Sequence, residues 1–234
     1  MKSIMINQSN YIPWKGYIDS ISLVDEFVVY DCVQYTKNDW RNRNKIKTPK
    51  GVEWITIPVS SNFGQSISDA VVSTNRWNIK HLKTISANYS KAVFFDEVYP
   101  IVKNWYNEIE GENNLSKINL FFLKKILDYL FIKTRIIHHD DIIIEGDRNE
   151  RLLNICKQRN CTDYFSGPAA KCYLDVKKLN NENINVHWFD FSNYKQYNQC
   201  WGGFDHAVSI FDMFFNLGIK ETKNYLKYGN RKQS

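Results

Sequence analysis

Residues 3–31 read SIMINQSNYIPWKGYIDSISLVDEFVVYD, and this stretch decides the fold. Ser3 to Ile6 is a short apolar run that gives way to a polar segment, Asn7 to Pro13, the pattern of a buried strand entering a loop. A helix is expected from about Lys15 to Val24. Glu26 to Tyr30 is aromatic and β-branched and stops at a polar cluster that begins with Asp31, so it reads as a second buried strand. The three pieces make one β-loop-α-β unit. In such units ligands bind beyond the carboxyl ends of parallel strands, which points to Asn7-Gln8 and to Asp31 through Tyr35.

Outward from this unit, Asn44 to Thr48 and Glu53 to Val59 flank Pro49-Lys50-Gly51, whose proline and glycine suit an antiparallel hairpin. Trp77 to Tyr89 reads as a helix, Phe94 to Glu108 as a helix interrupted near Pro100, and Leu115 to Ile132 as the strongest helical pattern in the chain, apolar at 115, 118, 122, 126 and 130. Short strands then return at Arg135 to His138, Ile142 to Ile144, Asp163 to Ser166 and Asn185 to Phe189. Helices are expected between them at Arg148 to Arg159 and beyond the Gly167-Pro168 turn. Ala207 to Leu217 is apolar at helical spacing and meets Gly218, a residue suited to a helix C-cap. The polar tail from Lys227 is expected to fray. Strands alternating with helices imply an α/β fold: a mostly parallel sheet flanked by helices, with an inserted antiparallel hairpin and a helical segment. The whole chain, 1–234, is expected to form one domain with a mainly helical subregion at about 75–132.

Composition narrows the function. Hydrophobic residues at 43% and charged residues at 24% are ordinary for a globular chain, whereas 15% aromatic is high and suits a large core or a stacking surface. The net charge of +6 is spread without a basic run, which disfavours counterion-driven nucleic-acid binding. Five irregularly spaced cysteines argue against a disulfide framework and against paired zinc ligands. No signal-peptide core and no membrane-spanning window is found, so a cytoplasmic location is expected. The P-loop, GxSxG and GxGxxG patterns are missing, which removes the best support for several common enzyme classes.

Two constellations carry chemistry. Gln8, Tyr11, Trp14 and Tyr17 place an amide, two phenols and an indole around a turn shaped by Pro13 and Gly16, where ring faces could meet a base or a sugar. Ordinary aromatic packing is the plainer reading of that turn. Gln34, Tyr35, Arg41, Asn42, Arg43 and Lys45 follow, and on an extended strand Arg41, Arg43 and Lys45 share one face able to grip a diphosphate. A charged hairpin edge is the plainer reading there. Asp31, at a strand end, reads as a general base or a positioning carboxylate, and His81, one helical turn after Trp77, as a base or, more plainly, a structural histidine. The pair His138-His139 before Asp140 invites a metal reading, yet adjacent strand residues face opposite ways, so no metal site is expected. Neither Cys32 nor Cys172 has an evident base, which weakens a thiolate nucleophile.

The motif Gln8-x2-Tyr11-x-Pro13-Trp14-x-Gly16-Tyr17, with Asp31-x-Val33-Gln34-Tyr35 and Trp40-Arg41-Asn42-Arg43-Asn44-Lys45-Ile46, resembles the signature of the WbqC-like family. Weaker similarities follow at His81, Tyr164-x-Ser166-Gly167, Tyr173-Leu174, Tyr197-x-Gln199 and Ser209-Ile210-x-Asp212, so the resemblance spans nearly the whole chain. Two positions depart from the pattern: Ser9 stands where proline is common, and Cys32 where a second acidic or amide residue is.

The resemblance implies a role in bacterial O-antigen, lipopolysaccharide or capsule synthesis. It implies a transferase moving an acyl or aminoacyl (glycyl-type) group to the amine of a nucleotide-linked amino sugar. Arg41, Arg43 and Lys45 would then bind the diphosphate, the aromatics near Tyr11 and Trp14 would stack on a ring, and Asp31 or His81 would take the amine proton. No tightly bound cofactor is expected. The donor would be a thioester of coenzyme A or of an acyl carrier protein, or an aminoacyl-tRNA. The alternatives are an adenylyl-transfer enzyme that activates a carboxylate, and a non-catalytic nucleotide-sugar-binding or scaffold protein.

Overall fold

The computed structural model describes residues 1–228. Its centre is a five-stranded, all-parallel sheet formed by β1 (Ser3–Asn7), β2 (Glu26–Val29), β7 (Arg135–His138), β8 (Asp163–Ser166) and β9 (Asn185–Trp188), in the order β7-β2-β1-β8-β9. Helix α1 (Lys15–Leu23) joins β1 to β2. Between β2 and β7 the chain inserts the hairpin β3 (Arg43–Thr48) and β4 (Gly51–Thr56), the short pair β5 (Val59–Ser60) and β6 (Val71–Val72), and helices α2 (Trp77–Tyr89), α3 (Phe95–Glu108) and α4 (Leu115–Tyr129). Helices α5 (Arg148–Gln158) and α6 (Val176–Asn180) precede β8 and β9, and α7 (Ile210–Tyr225) closes the described chain.

Strand residues point alternately to the two faces of a sheet, and the core divides accordingly. Met5, Phe27 and Val29 join a large cluster with α1 to α4 and α7, while Ile4, Ile6, Val28 and Ile137 join a smaller one with Leu152, Leu153 and Ile155 of α5. A sheet covered on both faces needs near-continuous apolar strands, as SIMIN and EFVV show. The helical subregion lies inside the larger cluster. The path β1, β2, β7 runs to one edge of the sheet, then β8 and β9 run to the other. The reversal falls between β1 and β8, where a crevice opens in doubly wound sheets.

Several expected boundaries move for physical reasons. Helix α3 runs through Pro100, its sixth residue, without interruption, so the missing N–H costs one intrahelical bond but does not end the helix. Ile142 to Ile144 forms no strand: the side chain of Gln158 bonds both the N–H and the carbonyl of Ile143. Pro58 has no N–H to offer a ladder, and β4 ends before it, leaving Val59 to pair with Val72. Beyond Gly167 come a 3-10 segment, Pro168–Cys172, and the short α6. Gly218 does break α7, with φ +68°, but the helix resumes and runs to Tyr225, and a Cβ there would meet the Phe94 ring at 2.8 Å. The tail is held at its start: Lys227 N donates to Asp19, and Tyr228 is buried. Residues 229–234 lie outside the described residues. Among the described residues no helix is long and apolar enough to cross a membrane.

Candidate functional site

A cleft of about 820 Å³ opens at the carboxyl ends of β1, β2 and β8, at the reversal of strand order. Asn7 and Gln8 line it from β1, Tyr30, Val33 and Gln34 from the chain after β2, and Ser166 and Gly167 from the end of β8. Arg148 and Arg151 enter from the first turn of α5, and Tyr173 closes the side. Arg148 lies flat on the Tyr173 ring, its Cζ 3.3 Å from the centroid. Arg151 donates through Nε to the Gly146 carbonyl at 2.8 Å. Burial raises the Tyr30 phenol above its ordinary pKa, against the pull of Arg151.

The β1-α1 loop that forms one rim is held from behind. Gln8 Oε1 accepts from Arg41 Nη1 at 2.6 Å, and the Gln8 carbonyl accepts from the Tyr17 hydroxyl at 2.7 Å. Asp31 is fully buried: one carboxylate oxygen accepts the Ser9 N–H at 2.8 Å and the other the Ser116 hydroxyl. Ile12 has φ +34°, a region that β-branched residues avoid, and Asn44 Nδ2 holds it by donating to the carbonyls of Tyr11 and Ile12 at 3.1 and 2.9 Å. Gly16 leaves room for the Trp14 indole, since a Cβ would come within 2.3 Å of it. That indole packs edge-on against Phe191 and Tyr194.

The stretch from Gln8 to Lys45 therefore divides. Gln8 and Gln34 line the cleft, while Arg41, Asp31 and Tyr17 support the Gln8 rim. Tyr11 and His81 are core residues. The Tyr11 hydroxyl bonds His81 Nδ1 at 2.8 Å and the Tyr106 hydroxyl, and its ring packs on Trp77 and Phe122. His81 Nε2 must donate to the Thr56 carbonyl at 3.0 Å, which fixes the tautomer and leaves Nδ1 as acceptor. Burial lowers its pKa to about 4, so the ring is neutral, both nitrogens are engaged, and it is withdrawn from the candidate bases. Asp31, with both oxygens occupied and no exposed surface, is a positioning carboxylate rather than a free base.

Asn42 and Tyr35 are also buried, Asn42 donating to the Ile57 carbonyl. Arg43 and Lys45 sit on the hairpin outside the cleft lining, where Arg43 Cζ lies 4.0 Å from the Trp54 ring centroid and Lys45 Nζ lies 5.3 Å from it. Arg41 is the nearest of the three basic residues to the cleft, and its guanidinium is engaged by Gln8.

Sequence reasoning missed Tyr30, Arg148, Arg151 and Tyr173 as site residues, and did not select Ser166 and Gly167. A usable signal was present. Asp147-x-x-Glu150 is a capping box that marks a helix start after a strand, and the rule applied to the ends of β1 and β2 applies equally to the end of β8.

Among the described residues one group could hold a metal ion, His138, His139 and Asp140, with ligand atoms within 4.8 Å of one another. The two imidazoles do not diverge as strand neighbours would, because β7 ends at His138 and His139 begins a 3-10 turn; their centroids are 4.3 Å apart. Asp140 bridges them at 3.0 and 3.1 Å, while His139 Nδ1 is buried without a hydrogen-bond partner. All five cysteines are free thiols, and burial pushes Cys32 above its ordinary pKa, away from a thiolate.

A family model described as the WbqC-like protein family matches residues 8–224. The chain is similar to a protein of Mycobacterium tuberculosis (strain ATCC 25618 / H37Rv), Rv1507c, described as uncharacterized. The two are 45% identical over 230 residues, 97% of this chain and 99% of that protein. No solved structure matches the chain.

Proposed function

The chain belongs to the WbqC-like protein family, and from that premise we propose a transferase of bacterial surface-polysaccharide synthesis. Its acceptor is the amine of a nucleotide-linked amino sugar, and the group moved is acyl or aminoacyl. The observation that carries this reading is the cleft at the β1/β8 reversal: about 820 Å³ lies within the range of small-molecule sites, and it is lined by both ring faces and polar groups. Tyr30 and Tyr173 offer stacking surface, and Gln8, Gln34 and Ser166 offer hydrogen bonds.

In this reading the protein contributes chiefly by binding and orienting its substrate, since Asp31 and His81 are both engaged in the interior. Attack of an amine on a thioester forms the C–N bond and breaks the C–S bond. The departing thiolate takes the amine proton, so the step balances without a buried base.

The test is calorimetry of the purified protein with uridine and thymidine diphosphate amino sugars, followed by an acyl-transfer assay with thioester donors. Binding with turnover supports the reading. Absence of binding to every such sugar overturns it, and binding without turnover on any donor replaces it with a binding protein.

One observation favours a second reading. Numbered along the chain, the sheet order is 3-2-1-4-5, an order of nucleotide-binding doubly wound sheets, which also suits adenylyl transfer to a carboxylate. Carboxylate-dependent exchange of pyrophosphate into ATP would select it.

A further inference from the structure

We infer that the substrate's diphosphate is held by Arg148 and Arg151 of α5, not by Arg41, Arg43 and Lys45 at the start of the hairpin. The inference rests on the nucleotide-linked reading of the same cleft and adds the residues that read the anion.

Observations on α5, on the chain after β8 and on the hairpin converge. Residues three apart on a helix share a face, so Arg148 and Arg151 present two guanidiniums to one side of the cleft. Each is already oriented: Arg148 by its stack on Tyr173, and Arg151, also in the cleft lining, by the bond from Nε to Gly146 O. A preoriented guanidinium loses little freedom on gripping an oxyanion.

Of the acidic groups beside them, Glu150 is not part of the cleft lining, and Asp147, which is, has one carboxylate oxygen engaged by the helix start. Asp147 Oδ1 accepts the N–H groups of Asn149 and Glu150, while Glu150 receives the Asp147 N–H and the Lys178 ammonium. The same capping box occupies N–H groups at the start of α5, so recognition falls to the guanidiniums rather than to the helix terminus.

Gly167, on the cleft wall across from α5, has φ −70°, which any residue adopts, and a Cβ there would meet nothing within 4 Å. Neither backbone nor packing demands glycine, and the space it leaves belongs to the cleft. Arg41, by contrast, donates to Gln8 from just before β3, and Arg43 and Lys45 lie against the Trp54 ring outside the cleft lining.

The experiment measures binding of uridine diphosphate, thymidine diphosphate, the matching nucleosides and inorganic pyrophosphate to the wild type and to Arg148→Ala, Arg151→Ala and Arg43→Ala. The expected result is a loss of about tenfold or more in diphosphate affinity for each α5 variant, from removal of a charge-assisted bidentate contact. Nucleoside binding and the Arg43→Ala affinity stay within about twofold. Arg148→Lys keeps the charge without the fork or the stack and falls between. Far-ultraviolet circular dichroism confirms folding; Arg148 is exposed, so its variant keeps the core intact.

Diphosphate affinity unchanged in both α5 variants overturns the inference and leaves the nucleotide-linked reading standing. Pyrophosphate binding that depends on the two arginines, with no nucleotide binding, supports the clamp and overturns that reading. Binding of neither by the wild type overturns both.

Discussion

Arg41 donates to Gln8 Oε1 at 2.6 Å, joining the start of the β3 segment to the end of β1 across 33 residues of sequence. One of the three cations in the supposed phosphate-binding segment thus shapes the rim of the cleft. Asn119 extends the link: its side chain donates to the Arg41 carbonyl at 2.8 Å and to the Ser9 hydroxyl at 3.0 Å. The rim loop is held by the insertion folded over it.

Replacing Arg41 with Ala leaves Gln8 Oε1 without its donor and empties a buried site. A hydrogen bond involving a charged group is worth about 1.5–3 kcal/mol. At about 2–4 °C per kcal/mol for a chain of this size, a fall of roughly 3–12 °C in thermal midpoint is expected by calorimetry. A midpoint within a degree of wild type would mean that the pair is incidental.

Asn44→Ala removes the two donations that hold Ile12 at φ +34°. The expected loss is about 1–3 kcal/mol, measured as a lower urea midpoint at unchanged slope. Hydrogen exchange in the Gln8 to Trp14 loop should quicken more than exchange in β2, because the strain is local.

His81 sets a pH dependence of known sign. Its folded pKa is lowered to about 4 from 6.5 by burial, so across that window the unfolded chain binds a proton that the folded ring does not. Stability is full above pH 6.5 and falls with pH down to about 4, by on the order of 3 kcal/mol from this group at most. His81→Gln, which can still accept from Tyr11 and donate to Thr56, should flatten that part of the curve of unfolding free energy against pH. The same slope in the variant would assign the effect to carboxylates. No activity change near neutral pH should track this ring.

Arg43 lies over Trp54, whose ring is 42% exposed, and an exposed cation-π pair is worth about 0.5–1 kcal/mol. Arg43→Ala is expected to lower stability by no more than that and to leave nucleotide-sugar affinity within about twofold, by denaturation and calorimetry on the same preparations. A tenfold loss of affinity would return the hairpin to the site.

The sequence by itself determined the elements. Helix α2 begins at Trp77 and ends at Tyr89 as its pattern implies, β7 and β8 match their expected ranges, and the parallel sheet follows from strands that are apolar on both faces. These signals are local, since a strand or helix writes its period into adjacent residues. The tertiary structure alone decided which polar groups stay open. Asp31, His81 and Tyr11 look reactive in a list of residues and become interior once the 30–134 insertion packs over them, supplying Ser116, Thr56 and Tyr106 as partners. Arg148, which the sequence marks only as the start of a helix, becomes a cleft residue because the fold brings the end of β8 and Tyr173 to it. Whether a titratable side chain is free depends on what covers it. That covering comes from segments far along the chain, which no periodicity records.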